Sequence, residues 1–327
     1  MSFKYINPGY SNLIQKTNIT RVEDIQDPSK SRTGVAFSNT YRDNIIWISP
    51  IAFSNAGTEF WLKFDFYWDS SYRRKIYLLL GYPGSSTITC SIDLNSGGAG
   101  GEISLGNATV VNNWTLATLQ NVTGLRPNAI NTAWFHFITG TRSTKDGCIE
   151  LQLNTKKLYT NSAYAFVIGS TEDFRKVVLY DEYTNAPATS FSSIIISDEE
   201  ISPNERVVLL PVSNTVTDMD SLQSGLYVAD TASETLLQSV DVSALIQDYG
   251  SDTNVTAIAL IGNPAYQVDD VIGNITALSA DNNVVTERET ISLSISTDAI
   301  ISSCFTMPTD TTIADLANMQ FGWRAEE

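Results

Sequence analysis

His136 is the single histidine of a 327-residue chain, so any histidine-dependent hydrolysis would have to be built on it. It lies in the run AWFHFITG (133–140), where strand alternation sets it on one face with Trp134 and Ile138, opposite Phe135 and Phe137. No GxSxG or comparable nucleophile motif accompanies it, and a hydrogen-bonded structural histidine is the expectation. A glycosidase needs two facing carboxylates, which on one strand must stand two or four residues apart. Asp181 and Glu182 are neighbours and face opposite sides, SDEE (197–200) reads as a turn, and Glu102 stands alone. The glycines of NSGGAGG (95–101) are followed by neither Lys-Ser/Thr nor a helix, so they read as a loop. Asp93, Asp146 and Asp198 fall at strand ends without D-x-D-x-D-G spacing, and no metal or cofactor is expected.

Aromatic side chains are the remaining chemistry. FWLKFDFYW (60–68) alternates strictly, with Phe60, Leu62, Phe64, Phe66 and Trp68 on one face and Trp61, Lys63, Asp65 and Tyr67 on the other. The first face is core. The second is too aromatic for idle solvated sheet. Rings with an apolar body and a polar tip stack on sugars, which makes Trp61, Tyr67, Trp68, Tyr72, Tyr82 and Trp114, with Asp65, the candidate carbohydrate-binding residues. The competing reading makes these rings core or subunit-contact residues. Asp65 is also the acid on which a polysaccharide-degrading enzyme would depend.

The elements that must position these residues are strands. From about residue 33, short apolar runs separated by turn signals predict an all-β sandwich to about residue 204. Residues 1–32 read as an extended arm lying on the main domain or on a neighbouring subunit. A polar, proline-punctuated break at SDEEISPNER (197–206) precedes a smaller, mainly β domain over 205–327, with helix candidates at 241–250 and 309–321. Twenty Lys and Arg against 36 Asp and Glu give a net charge of −16, which argues against a nucleic-acid partner and against anionic membranes. No apolar run has membrane-span length, and the first residues lack the basic and apolar regions of a secretory signal. Cys90, Cys148 and Cys304, odd in number and far apart, read as buried free thiols.

The stretch NTAWFHFITGTRSTKDGCIELQLNTKKLY (131–159) resembles the paired strands of concanavalin A-like, laminin-G-type lectin and glucanase domains. Asp146-Gly147 opens the second strand, and Asn154-Thr155-Lys156-Lys157-Leu158 supplies the return, with Thr155 where the family usually has glycine. FSSIIISDEEIS (191–202) resembles the closing strand of the same family, so the resemblance spans about 33–202. The glucanase carboxylate pattern is missing, and hydrolysis is not implied. LLQSVDVSALIQDYGSDTNVTAIALIGNPAY (236–266) and PTDTTIADLANMQFGWRAE (308–326) are similar to C-terminal segments of phage and prophage structural proteins of tail or capsid-fibre type. That resemblance implies a non-enzymatic virion protein, assembled in the host cytoplasm as a homo-oligomer with other virion proteins. It would display a lectin-like jelly roll to host-surface glycans. A capsid decoration or connector protein, and a glycoside hydrolase on the same fold, are the alternatives.

Overall fold

The computed structural model describes residues 3–7, 15–17, 19–22, 34–37, 44–47, 59–68, 74–81, 88–94, 101–105, 108–111, 114–138, 147–164, 176–181, 190–208, 210–222, 226–262, 273–282, 284–293 and 301–327. The chain divides into two compact units, Met1–Val208 and Leu209–Glu327. The first contains β1 (Phe3–Asn7), β2 (Gln15–Thr17), β3 (Ile19–Val22), β4 (Gly34–Phe37), β5 (Asn44–Trp47), β6 (Glu59–Trp68), β7 (Arg74–Gly81), β8 (Ile88–Leu94), β9 (Gly101–Leu105) and β10 (Ala108–Val111). It continues with α1 (Leu116–Thr123), β11 (Ala129–Ile138), β12 (Gly147–Leu153), β13 (Lys156–Tyr164), β14 (Lys176–Asp181) and β15 (Ser190–Ser197).

These strands form two antiparallel sheets packed as a β-sandwich. One runs β13-β12-β11-β6-β15-β4-β3 with β1 also on β15, and the other runs β10-β9-β8-β7-β14-β5-β2. The alternation of β6 is realised as read: Phe60, Leu62, Phe64, Phe66 and Trp68 are all buried, against Phe135, Phe137, Ile149, Leu151, Leu153 and Phe191. Phe60 stacks on Phe137 at 4.8 Å and Phe64 on Phe135 at 6.0 Å, each ring adding about 1.5–3 kcal/mol of burial.

Three features depart from the sequence reading. The N-terminal segment supplies strands to both sheets rather than forming an arm throughout. β1 hydrogen-bonds the Ile194–Ser197 end of β15, whose edge groups need partners, and Ile6 is buried there. A helix, α1, follows Trp114. Thr115 caps it through an acceptor bond from the Thr118 amide, Gly124 ends it at φ +69°, and Leu119 buries against the same core. The break at 197–206 is also more than a linker, because Ile201 is fully buried and its carbonyl oxygen accepts the Trp134 indole N–H at 2.7 Å.

The second unit holds β16 (Val212–Thr217), β17 (Asp220–Leu222), β18 (Leu226–Val228), β19 (Thr235–Val240), α2 (Ser243–Tyr249), β20 (Ala257–Gly262), β21 (Asn274–Asp281), β22 (Val284–Ser292), β23 (Ile301–Thr306) and β24 (Met319–Glu326). A five-stranded sheet β16-β19-β24-β21-β22 and the pair β20-β23 enclose a core of Leu245, Ile258, Phe305, Met307, Ile313, Leu316 and Phe321. The helix expected over 309–321 is a single 3-10 turn, Asp315–Asn318. From Met319 onward the chain instead pairs with β19 on one side and β21 on the other, and two ladders of hydrogen bonds outweigh one helical one. Ile313, Leu316 and Phe321 still reach the core. No described helix is long and apolar enough to cross a membrane.

Gly322 lies on β24 opposite Leu237 of β19, and a Cβ there would lie 1.7 Å from the Leu236 carbonyl oxygen. Gly322→Ala should destabilise the second unit by about 3 kcal/mol or more in denaturant unfolding, because the clash is with backbone. Gly273→Ala, which meets nothing within 4 Å, should change stability by less than about 1 kcal/mol.

Candidate functional site

The face of β6 that carries Trp61, Lys63, Asp65 and Tyr67 is half closed and half open. Register decides what each residue meets: Trp61 pairs with His136, Lys63 with Trp134 and Asp65 with Thr132. At the closed part Lys63 and Asp65 are fully buried, with Nζ and Oδ1 3.1 Å apart. Thr132 Oγ1 donates to the same Asp65 oxygen at 2.7 Å, and the Arg206 guanidinium lies 4.0 Å from the other. The Asp198–Arg206 segment therefore returns over this face, tied to Trp134 and drawn toward Asp65. A charge pair taken out of water persists only when the partners satisfy each other. Asp65 is a structural counter-ion here, and the glycosidase role envisaged for it is closed to it.

The open part is built around His136. Its Nε2 lies 2.8 Å from Glu59 Oε1 and its Nδ1 3.3 Å from Glu150 Oε2, while Glu150 Oε1 accepts from Lys157 Nζ at 3.0 Å. Trp61 lies flat on the imidazole, with centroids 4.5 Å apart and planes 3° apart, and Trp134 tilts toward the same ring from 6.5 Å. Trp61 remains half-buried and Glu59 is 48% exposed. Burial would raise the Glu150 carboxyl, but hydrogen bonds from Lys157 and His136 together outweigh it and hold the group below the ordinary carboxylate range. Burial and the Glu150 carboxylate push the Cys148 thiol up, so it is a poor nucleophile. Cys148 and Cys304 are half-buried rather than fully buried.

The other predicted residues separate. Trp68 and Trp114 lie inside the sandwich core at 1% and 2% exposure and cannot stack on a sugar. Their apparent positions at a strand end and in a loop conceal that α1 and β6 both turn these rings inward. Tyr67 is half-buried, six residues from Trp61 along β6, or about 20 Å with the closed part between them. Tyr72 and Tyr82, Asp146, and the glycine loop before Gly101 lie outside the described residues. Glu102 does not stand alone: β8 and β9 place Asp93 directly opposite it, with Lys75 of β7 opposite Asp93 on the other side. Among the described residues no cluster of His, Cys, Asp and Glu suits a metal ion. Glu59, Glu150 and Lys157 were not among the predicted site residues. Pairing the two strands of the 131–153 hairpin was the signal that would have set Glu150 beside His136.

No protein-family model matches the sequence, and no curated protein matches it. Solved structures similar to the sandwich include an endo-β-1,4-glucuronan lyase from the fungus Trichoderma reesei, with a TM-score of 0.42, 10% identity, 62% of this chain and 100% of that chain covered. The globular domain of T. cruzi calreticulin gives 0.37, 11%, 61% and 89%. The Emp46p carbohydrate recognition domain gives 0.36, 13%, 60% and 99%. These neighbours include a carbohydrate recognition domain and a lyase, and at such identities neither activity transfers.

Two outcomes test this geometry. Asp65→Ala should cost about 3–5 kcal/mol in urea unfolding, because it leaves a buried lysine beside a lost carboxylate. Because its pKa is depressed in the fold, the Glu150 carboxylate contributes stability that is present above the ordinary carboxylate pKa and lost as pH falls through its folded value. The melting temperature of Glu150→Gln should therefore fall below that of the unmodified protein at neutral pH, and the gap should close in acid.

Proposed function

We propose that the chain is a non-enzymatic virion structural protein whose sandwich adheres to host-surface glycans through the open end of the β6 face. The observation that carries the binding reading is the Trp61–His136 stack. An indole held flat by the imidazole beneath it loses little side-chain freedom when a sugar ring stacks on it. Glu59 and Lys157, at 48% and 55% exposure, supply hydrogen-bonding groups on this face. The non-enzymatic reading is supported by the occupation of His136, since a carboxylate lies against each ring nitrogen. The virion assignment rests on the C-terminal resemblance and on the hydroxyl-rich, acidic composition.

A purely structural decoration role would have placed Trp68 and Trp114 in subunit contacts, whereas both lie in the chain's own core. One observation favours an enzyme, namely the cross-strand pairing of Asp93 with Glu102.

A glycan array probed with the full chain should give reproducible binding that Trp61→Ala weakens at least about tenfold, the worth of one aromatic stack. Trp61→Ala should melt close to the unmodified protein. A blank array from well-folded protein would move the assignment to the decoration role. Release of reducing ends from an oligosaccharide, abolished by Glu102→Gln, would move it to the enzyme.

A further inference from the structure

The charge around Trp61 narrows the class of ligand. Glu59 opens β6 two residues before Trp61, on the same face, and stays half exposed while one oxygen holds His136. The cation of the cluster, Lys157, belongs to β13, with β11 and β12 between it and β6, and its ammonium is committed to Glu150. At roughly 4.8 Å per strand, its backbone lies about 14 Å from that of Trp61. Glu59 is the more exposed carboxylate of this cluster, and the chain as a whole carries −16. A half-exposed indole beside an exposed carboxylate attracts a cation twice, through the ring quadrupole and through the carboxylate. The chain's net negative charge opposes uronates, sialic acids and phosphates.

We infer that this site, granted the glycan-binding reading above, selects sugars bearing a free ammonium group: deacetylated amino sugars rather than N-acetylated, neutral or acidic ones. The ring stacks on Trp61 and the ammonium donates to Glu59. Removing the acetyl group exposes the cation that Glu59 reads. Removing Glu59 should therefore erase the preference without erasing the stack.

The experiment is a titration of the full chain, followed by tryptophan fluorescence and calorimetry, with three probes: a glucosamine oligomer, its N-acetylated counterpart of equal length, and oligolysine. The glucosamine oligomer should bind at least about fivefold tighter than the N-acetylated one at low salt, and the margin should shrink as salt rises. Glu59→Gln should bring the two sugars to equal affinity, and Trp61→Ala should weaken both. Oligolysine should bind weakly and lose less on Trp61→Ala than the sugars do, since it offers ammonium without a ring to stack. Equal binding of the two sugars, both sensitive to Trp61→Ala, would overturn the ammonium preference and leave the lectin reading intact. No binding by either sugar would overturn both. Oligolysine binding that depends on Trp61 as strongly as sugar binding does would overturn the sugar class. Glu59 is exposed enough that Glu59→Gln should fold, and its melting curve checks this.

Discussion

Ten consecutive residue pairs join β6 to β11, from Glu59 opposite Ile138 to Trp68 opposite Ala129, and the rest of the first unit depends on that register. A slip of one residue would carry five large apolar side chains out of the core and bring Lys63 and Asp65 in against phenylalanines. The aromatic stacks between the two strands fix the inner face. The same pairing, read from the other side, fixes which polar residues meet: Trp61 with His136, Lys63 with Trp134, Asp65 with Thr132.

That outer face serves two purposes a short distance apart. Around Lys63 and Asp65 it is a second interior, closed by the return of the chain after β15 and held by the Trp134 bond to Ile201. The bulge at Ser193, at φ +51°, lets β15 follow β6 through this region: it faces Asp65 with Ser192, then resumes against Lys63 with Ile195. Around His136 the same face opens to solvent, and the carboxylates on either side of the imidazole hold it parallel to Trp61. Rigidity at the open end thus derives from pairing set by the closed interior.

Polar residues do comparable work elsewhere in the fold. Asn131, fully buried, accepts from the Arg126 amide and donates to the Arg126 and Ala129 carbonyls. Asn154, at φ +50°, turns the β12–β13 hairpin and donates to both Asn131 and the Gly124 carbonyl. The turn thus tolerates Thr155 because Asn154 takes the left-handed position. In the second unit the irregular pairing of β22 with β21 turns Arg288 and Glu289 toward the β20–β23 layer, where Arg288 lies 4.8 Å over Phe305 and Glu289 accepts from Ser303. Charged residues and irregular pairing on this outermost strand discourage edge-to-edge pairing with other chains.

Alternation was legible in the sequence because side-chain direction in a strand is a local property, with period two and no need of a partner. It determined the all-β class, the buried row of β6 and the face on which His136 stands. The caps of α1, Thr115 and Gly124, were equally local and were overlooked for want of a strongly amphipathic run between them. What tertiary structure alone decided is which strand lies beside which. Pairing across more than 60 residues of chain leaves no periodic trace, yet it sets Glu59 against His136 and closes a roof of residues 198–206 over Asp65. It also sends Met319–Glu326 into a sheet where their spacing suited a helix. A residue's face is written in its neighbours along the chain, whereas its partners are fixed by whichever packing buries the most apolar surface at once.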